Sequence, residues 1–552
     1  KPFLGEIIQL SLDAIIIAEA GDVGSADIIH ERLRLDGKVA TIQVIKNYLK
    51  NKGHVIPPVE GSSILNWGAA YRLNGIYLLS YLLKGGLQVK LIDRYFKDKS
   101  TFKEMLAETP RAVVISTTFI RNKQTLQRLV ADIREQAPDI FIIAGGPFVN
   151  LSYRMLQRSS DPGYETHLAE NDFLFFQNEQ PRVNLYITGL QGEDILLAAL
   201  QRIRLNRPVD DLPNTVRFDG KTYSFSEQKD TIFDNLNTSI DWKSLPEKIF
   251  RSGVIPMQTS KGCPFKCAFC NFTKDRRLMF IKSLDRLVEE LKAVSARGVR
   301  FVRFTDDNFR HGRGNLNTLS RRIIKENIPV KWMTMVRATA LEDVDFELLK
   351  ESGCIEVLLG LESADKQILE NMNKKANPRL YARVVKRLLA AGIDTSCYFL
   401  FGFPGETTET VKRTLDFIRR IEFPKLPGTL SWALFPFSLA PLSPIYEPEM
   451  RRKYELTGYM DQWQHRTMAS EDVMGHISRV FGALENSCPM YRNDNLTMLH
   501  DDLLPAERKR LFLARHRLSK HTIKGNLSKA EIMETFAFAF PDLNPDLQAR
   551  AS

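Results

Sequence analysis

Three of the chain's six cysteines fall in one short run, Cys263-Pro264-Phe265-Lys266-Cys267-Ala268-Phe269-Cys270. The others, Cys354, Cys397 and Cys488, are scattered. Thiolates are soft ligands that select iron–sulfur clusters or zinc. This spacing lets one tight loop aim three sulfurs at one cube of iron and sulfide. A [4Fe–4S] cluster normally takes four thiolates. Three leave one iron open, and an open iron can hold a substrate. A zinc site would want a fourth Cys or His close by, and the closest histidine, His311, is far along the chain. A chance grouping of buried cysteines is the third reading.

The elements around the loop predict how it is held. Residues 255–259 predict a strand that ends at the loop. Residues 284–296 predict a helix with Leu287, Leu291 and Val294 on one face, stopped by Gly298. Further strands are predicted at 299–304, 330–336, 355–359, 396–401 and 430–436. Six such repeats predict a partial (β/α)6 barrel over 255–440, with functional residues at the carboxyl-end rim. Polar phrases fall at those ends: Thr305-Asp306-Asp307-Asn308, Arg337, Gly360-Leu361-Glu362-Ser363 and Gly402-Phe403-Pro404-Gly405-Glu406. Any one of them could be a turn. Their order behind the cysteine loop points to a site.

Ahead of the barrel, residues 1–58 read as an N-terminal helical segment with short helices at 26–35 and 41–50. Residues 59–206 alternate strand and helix, with strands expected at 63–67, 88–93, 112–116, 140–144 and 184–188. Helices are expected at 74–84, 123–136 and from Gly192-Glu193 to about 204. Such alternation predicts an α/β fold with a Rossmann-like parallel sheet. Ligands on such sheets sit beyond the strands' carboxyl ends. Gly68, Gly145, Gly146, Gly189 and Gly192 fall there, where backbone can approach a flat ligand. Residues 207–254 read as a turn-rich connector. Residues 441–552 read as a helical C-terminal region, with Met474, Ile477, Val480 and Phe481 on one face. Trp463 and His465 there either line a pocket or lie in the core. The basic stretch from Arg508 to Lys524 reads as a solvated helix face.

Cys-x3-Cys-x2-Cys, with an aromatic before its last cysteine and Thr259-Ser260-Lys261-Gly262 ahead of it, resembles the radical S-adenosylmethionine (SAM) superfamily. The resemblance implies that Cys263, Cys267 and Cys270 hold a [4Fe–4S] cluster whose open iron chelates SAM. An electron from the cluster then breaks a sulfur–carbon bond of SAM to give a 5′-deoxyadenosyl radical. It implies that Phe269, Gly402 and Glu406 lie beside the adenine. Asp306 and Asp307 would meet the methionyl amino group, and Arg337, Glu362 and Ser363 the carboxylate and ribose. The preceding domain resembles the cobalamin-binding domain of the cobalamin-dependent subgroup. There the implied cobalamin contacts are Trp67, Gly68, Ser116, Gly145, Gly146, Gly189, Gly192 and Glu193. Many cobalamin proteins carry Asp-x-His-x-x-Gly after the first strand. The stretch from Gly68 to Gly75 has no histidine, which implies cobalamin without an imidazole lower ligand. A Rossmann-like domain that binds no corrinoid is the other reading.

The expected activity is C-methylation of an unactivated carbon in a natural-product or peptide-type substrate. A radical SAM cyclisation or rearrangement is the alternative. A tRNA methylthiotransferase would carry a second, N-terminal cysteine triad, and no cysteine precedes Cys263. Partners implied are a small-molecule or peptide substrate and an electron donor such as flavodoxin or ferredoxin. Net charge is +11 with pI near 9.2, which permits an anionic partner. No interleaving of basic and aromatic residues supports nucleic-acid binding. No apolar run approaches the roughly 20 residues of a membrane span. The opening residues lack a signal-peptide layout, and few cysteines without a paired framework suit the cytoplasm.

Overall fold

Ala14-Ile15-Ile16-Ile17-Ala18 is a continuous apolar run, the pattern of a strand covered on both faces. In the computed structural model it forms a fully buried strand, β1 (Ala14–Glu19). The structure describes residues 12–20, 34–35, 38–39, 70–177, 183–230, 239–272, 280–309, 315–490 and 504–524, together with Glu531 and Thr535. The chain divides into two units, residues 1–25 with 71–246, and residues 26–70 with 247–552.

In the first unit, β1 pairs in parallel with β2 (Val89–Arg94) and β3 (Ala112–Ser116). Next come β4 (Phe141–Gly145) and β5 (Leu185–Ile187), also parallel. An antiparallel hairpin, β6 (Thr215–Phe218) and β7 (Tyr223–Phe225), closes the edge. The sheet order is β2-β1-β3-β4-β5-β6-β7. Helices α1 (Leu73–Lys84), α2 (Lys99–Leu106), α3 (Lys123–Gln136), α4 (Pro147–Arg158) and α5 (Glu193–Arg204) connect the strands.

Two sequence expectations are corrected here. Residues 14–19 are the sheet's second strand, not part of a separate helical segment. Residues 215–225 are sheet, not connector; the Asp219-Gly220 turn, with Gly220 at φ +102°, joins two strands too short to show a period. Arg34–Leu35, at the end of one expected helix, pairs antiparallel with Lys38–Val39. The rest of that helix, the helix at 41–50 and the strand at 63–67 lie outside the described residues.

The second unit holds β8 (Val254–Met257), β9 (Phe301–Phe304), β10 (Lys331–Val336), β11 (Cys354–Glu362), β12 (Asp394–Phe401) and β13 (Leu430–Pro436). They are ordered as in the chain, with each neighbouring pair parallel. This is the expected partial barrel. A short seventh strand, β14 (Cys488–Pro489), adds to β13. Between them run α6 (Leu284–Ser295), α7 (Asn315–Lys325), α8 (Phe346–Glu351), α9 (Lys366–Asn371), α10 (Pro378–Ala390) and α11 (Thr408–Ile421). Val254, Phe301, Met333, Ile355 and Leu358 pack into one buried cluster.

Beyond the barrel come α12 (Pro448–Tyr454), α13 (Ser470–Ala483) and α14 (Pro505–Lys524). A small antiparallel sheet of Thr457–Tyr459, Gln462–His465 and Met468–Ala469 joins them. On α13 the buried stripe is Val473, His476, Ile477, Val480 and Phe481. Met474 is 40% exposed, so it falls off the expected face. The reading of α14 as a solvated face is also corrected: Arg508 and Arg515 are buried.

Candidate functional site

The cysteine loop leaves β8 through Ser260–Lys261, which pairs antiparallel with Phe280–Ile281. Four contacts fix its path. The Ala268 amide donates to the Met372 carbonyl at 2.8 Å, and the Ala268 carbonyl accepts from the Ile445 amide at 2.9 Å. Asn373 Nδ2 donates to the Lys266 carbonyl at 2.8 Å. The Gly262 amide donates to Asp307 Oδ2 at 2.7 Å. Cys267 is buried, and Cys263 and Cys270 are half-buried. Arg337, at the end of β10, donates from Nη1 to Cys267 Sγ at 3.6 Å and from Nη2 to the Lys374 carbonyl. Its guanidinium carbon lies 3.8 Å from the centroid of the Phe265 ring.

Asp306 anchors the start of the loop. Its Oδ1 accepts from the Thr259 amide (2.9 Å), Thr259 Oγ1 (3.0 Å), the Ser260 amide and Ser260 Oγ (2.7 Å). Burial pushes its carboxyl up to about 6, against the pull of these donors.

Around the rim, Glu362 sits at φ +66°, a conformation seldom adopted without glycine. Its Oε1 accepts from Lys374 Nζ at 2.8 Å. A Cβ on Gly360 would stand 2.6 Å from that same oxygen, so Gly360 makes room for the fold-back. Lys374 Nζ lies 5.9 Å from the Phe269 ring centroid, and Phe269 meets Phe403 edge-on at 6.4 Å. Gly402, at φ +89°, donates to Glu406 Oε2. Ser363 is turned to other work: its Oγ lies 3.3 Å from Thr414 Oγ1 and accepts from the Asp365 amide at 3.1 Å. The loop, Phe269, Asp306, Asp307, Arg337 and Glu362 are thus joined by contacts. Lys374 and Asn373 belong with them and carry no sequence signal. Trp463 and His465 resolve as core, stacked at 5.2 Å. The Gly402 carbonyl lies 3.1 Å from His465 Nε2.

Three buried polar atoms here have no partner: Asp306 Oδ2, Arg337 Nε and Glu406 Oε1. A ligand bearing amino, carboxylate and hydroxyl groups would complete them, which fits SAM. Three thiols on one loop beside a guanidinium fit the cluster. Among the described residues no three His, Cys, Asp or Glu side chains converge on a single-ion site.

Burial pushes Glu406 up to about 8, against the Gly402 amide. A carboxyl raised on folding contributes stability below its unfolded value, and this is lost as pH rises toward the folded value. The melting temperature is expected to fall between pH 5 and pH 8. Glu406→Gln should flatten that slope, read by thermal melts across the range.

In the first unit the strand order reverses between β1 and β3, the place where such sheets bind ligands. Asn74 Nδ2 bridges that gap, donating to the Ala18 carbonyl at 2.9 Å and to Ser116 Oγ at 2.8 Å. Thr117 Oγ1 donates to the Gly145 carbonyl at 2.9 Å. Gly146, at φ +108°, opens α4, and a Cβ there would stand 3.2 Å from Thr117 Oγ1. Gly192 opens α5, where a Cβ would stand 2.4 Å from Ile187 Cγ2. Gly189 precedes it on the same turn, and Glu193 starts the helix. Arg72 donates to Asp93 Oδ1 at 2.6 Å through its amide and to Glu19 through its side chain. Both amide atoms of the buried Gln191 lack a partner at the end of β5. An unsatisfied amide among close-packed glycines fits a ligand rimmed with amides, as a corrinoid is. No sequence motif marks Arg72, Asn74 or Gln191. Trp67 and Gly68 lie outside the described residues.

The radical SAM superfamily model matches residues 257–418, and the B12 binding domain model matches residues 70–170. The chain is thus an enzyme with a radical SAM domain and, ahead of it, a B12-binding domain. An uncharacterized methyltransferase of Pyrococcus horikoshii is 24% identical over 68% of this chain and 81% of its own length. An anaerobic magnesium-protoporphyrin IX monomethyl ester cyclase of Rubrivivax gelatinosus is 25% identical over 68% of this chain and 65% of its own. A bacteriochlorophyllide d C-12(1)-methyltransferase of Chlorobaculum tepidum is 34% identical over 32% of this chain and 42% of its own. The fold is shared with the cobalamin-dependent SAM radical enzyme OxsB, at TM-score 0.59 and 14% identity over 98% of this chain and 81% of the other. It is shared too with the radical SAM methyltransferase TsrM of Kitasatospora setae, at TM-score 0.54 and 16% identity over 79% and 77%. No described helix is long and apolar enough to cross a membrane.

Proposed function

We propose that this enzyme is a cobalamin-dependent radical SAM methyltransferase acting on an unactivated carbon of a natural-product or peptide-type substrate. One observation carries the reading. A single chain combines three cysteines on one loop, Cys267 braced by Arg337, with a parallel sheet at whose strand ends the buried Gln191 amide is unsatisfied. When bound, the cluster and SAM would supply a 5′-deoxyadenosyl radical, and the corrinoid a methyl group. Cys263, Cys267 and Cys270 would hold the cluster, with Arg337 offsetting thiolate charge. Asp306 Oδ2 would take the methionyl amino group, and Arg337 Nε the carboxylate. Glu362, steadied by Lys374, would face the ribose hydroxyls. Gly402 and Phe269 would flank the adenine. Ser116, Gly145, Gly146, Gly189, Gly192, Glu193 and Gln191 would border the corrinoid, with no imidazole lower ligand. Six cysteines outside any disulfide suit a reducing cytoplasm, where a flavodoxin or ferredoxin would supply the electron.

The cyclase relative supports a second reading, radical cyclisation or rearrangement without methyl transfer. Anaerobic reconstitution with iron, sulfide and hydroxocobalamin separates the two. Methyl transfer predicts about four irons per chain together with corrinoid absorbance in the purified protein. Four irons without corrinoid would favour the second reading, and a protein that takes up no iron would sink both.

A further inference from the structure

The inner face of the barrel carries a charge that the cofactor sites do not use. Side chains on one face of a strand recur every second residue. On β9, Phe301 packs into the buried cluster with Val254 and Met333, so Arg303 shares that inner face. Its register neighbours are Pro256 and Met333. Phe304, on the opposite face, packs against Trp332 at 5.7 Å. Arg303 is nonetheless exposed, as is Phe435, at 49%, on β13. Tyr398 on β12 lies 5.8 Å from Phe435, ring to ring, and packs with Met335 against the buried cluster. The inner wall therefore offers solvent an apolar, aromatic surface with a cation in it.

A second observation lies beside it. Glu356 on β11 is fully buried. Its Oε1 accepts from Ser396 Oγ at 2.5 Å, while Oε2 has no partner. Burial raises its carboxyl to about 7, and Arg303 is near enough to pull it back down. The same two charges act on the Tyr398 hydroxyl. A buried carboxyl left half satisfied is costly unless something completes it.

We infer that this inner wall is the substrate subsite, and that it takes a carboxylate-bearing molecule with an apolar or aromatic body. Arg303 holds the carboxylate, Tyr398 and Phe435 cover the body, and Glu356 Oε2 meets an N–H or O–H of the substrate. A guanidinium suits this task because it pairs with a carboxylate through two parallel hydrogen bonds. The inference rests on reading this unit as a radical SAM barrel, and it names the substrate class of that site.

Binding of 3-phenylpropionate and its neutral amide to the reconstituted holoprotein, followed by ligand-detected NMR titration, tests it. The acid should bind about tenfold tighter than the amide. Arg303→Gln should erase that gap and leave the amide's affinity alone, and Arg303→Lys should keep part of it. Phe435→Ala should weaken both probes. Circular dichroism and iron content show that each variant is folded and loaded. Failure of the acid to bind, equal affinity for both probes, or a preference that survives Arg303→Gln overturns the inference. Iron and corrinoid read on the same samples keep the two ideas apart. A loaded protein with no acid preference sinks the substrate class alone, while an unloaded one sinks the proposed function.

Discussion

Arg508→Ala should destabilise the packing of α14 on the barrel by about 3–5 kcal/mol. Arg508 and Asp394 are each 1% exposed. Nη2 and Nε of Arg508 donate to Asp394 Oδ2 at 2.9 and 3.2 Å, and the Thr429 amide donates to Oδ1 at 2.8 Å. Truncating the arginine leaves a buried carboxylate with one amide hydrogen bond and only the charges of Lys350 and Lys509 nearby to offset it, and that desolvation dominates the loss. The pair closes a contact between the first residue of β12 and the first turn of α14. Replacing both partners by apolar residues, as in Asp394→Leu with Arg508→Met, should recover much of the loss, because no charge is then stranded. Global unfolding of a two-unit chain need not be two-state, so amide hydrogen exchange along α14 is the better readout. Unchanged protection in Arg508→Ala would show the pair to be energetically idle.

That ion pair also marks where sequence reading stops. The barrel strands were legible because parallel strands buried on both faces read as short apolar runs between helical periods. The run at 430–436 matches β13 to the residue. The rim was legible because Cys263, Cys267, Cys270, Asp306, Arg337 and Glu362 stand at strand ends that those runs locate. β1 is an equally plain run, but the stretch from Glu19 to Leu73 separates it from α1, so no neighbouring strand–helix alternation ties it to the sheet. The partnership of Arg508 with Asp394 spans 114 residues, and no local period marks which arginine of a basic helix turns inward. Lys374 is similar. It follows α9 in an ordinary turn, and its value to Glu362 and Phe269 exists only once β11 and the cysteine loop have met.

Asp306→Ala should empty the cluster site while leaving the barrel folded. Its Oδ1 gathers two backbone amides and two hydroxyls from Thr259 and Ser260, the residues that launch the cysteine loop. Hydroxyls can swing to other acceptors, but the amides cannot, and each buried donor left unpaired costs about 1–3 kcal/mol. The two amides alone come to about 2–6 kcal/mol on that scale, enough to favour a rearranged loop with its thiols misaimed. Iron per chain after anaerobic reconstitution should fall by more than half. Asp307→Ala removes the single bond to the Gly262 amide and should cost less iron. Asp306→Asn keeps a carbonyl in place for the amides and should load normally. The same variants separate two roles for this carboxylate. If Asp306 anchors the loop, iron is lost with alanine and kept with asparagine. If its chief task is to hold the amino group of SAM through Oδ2, both variants load iron and both lose SAM affinity, which equilibrium binding to the loaded protein measures directly. Full iron in Asp306→Ala would remove the anchor from the account.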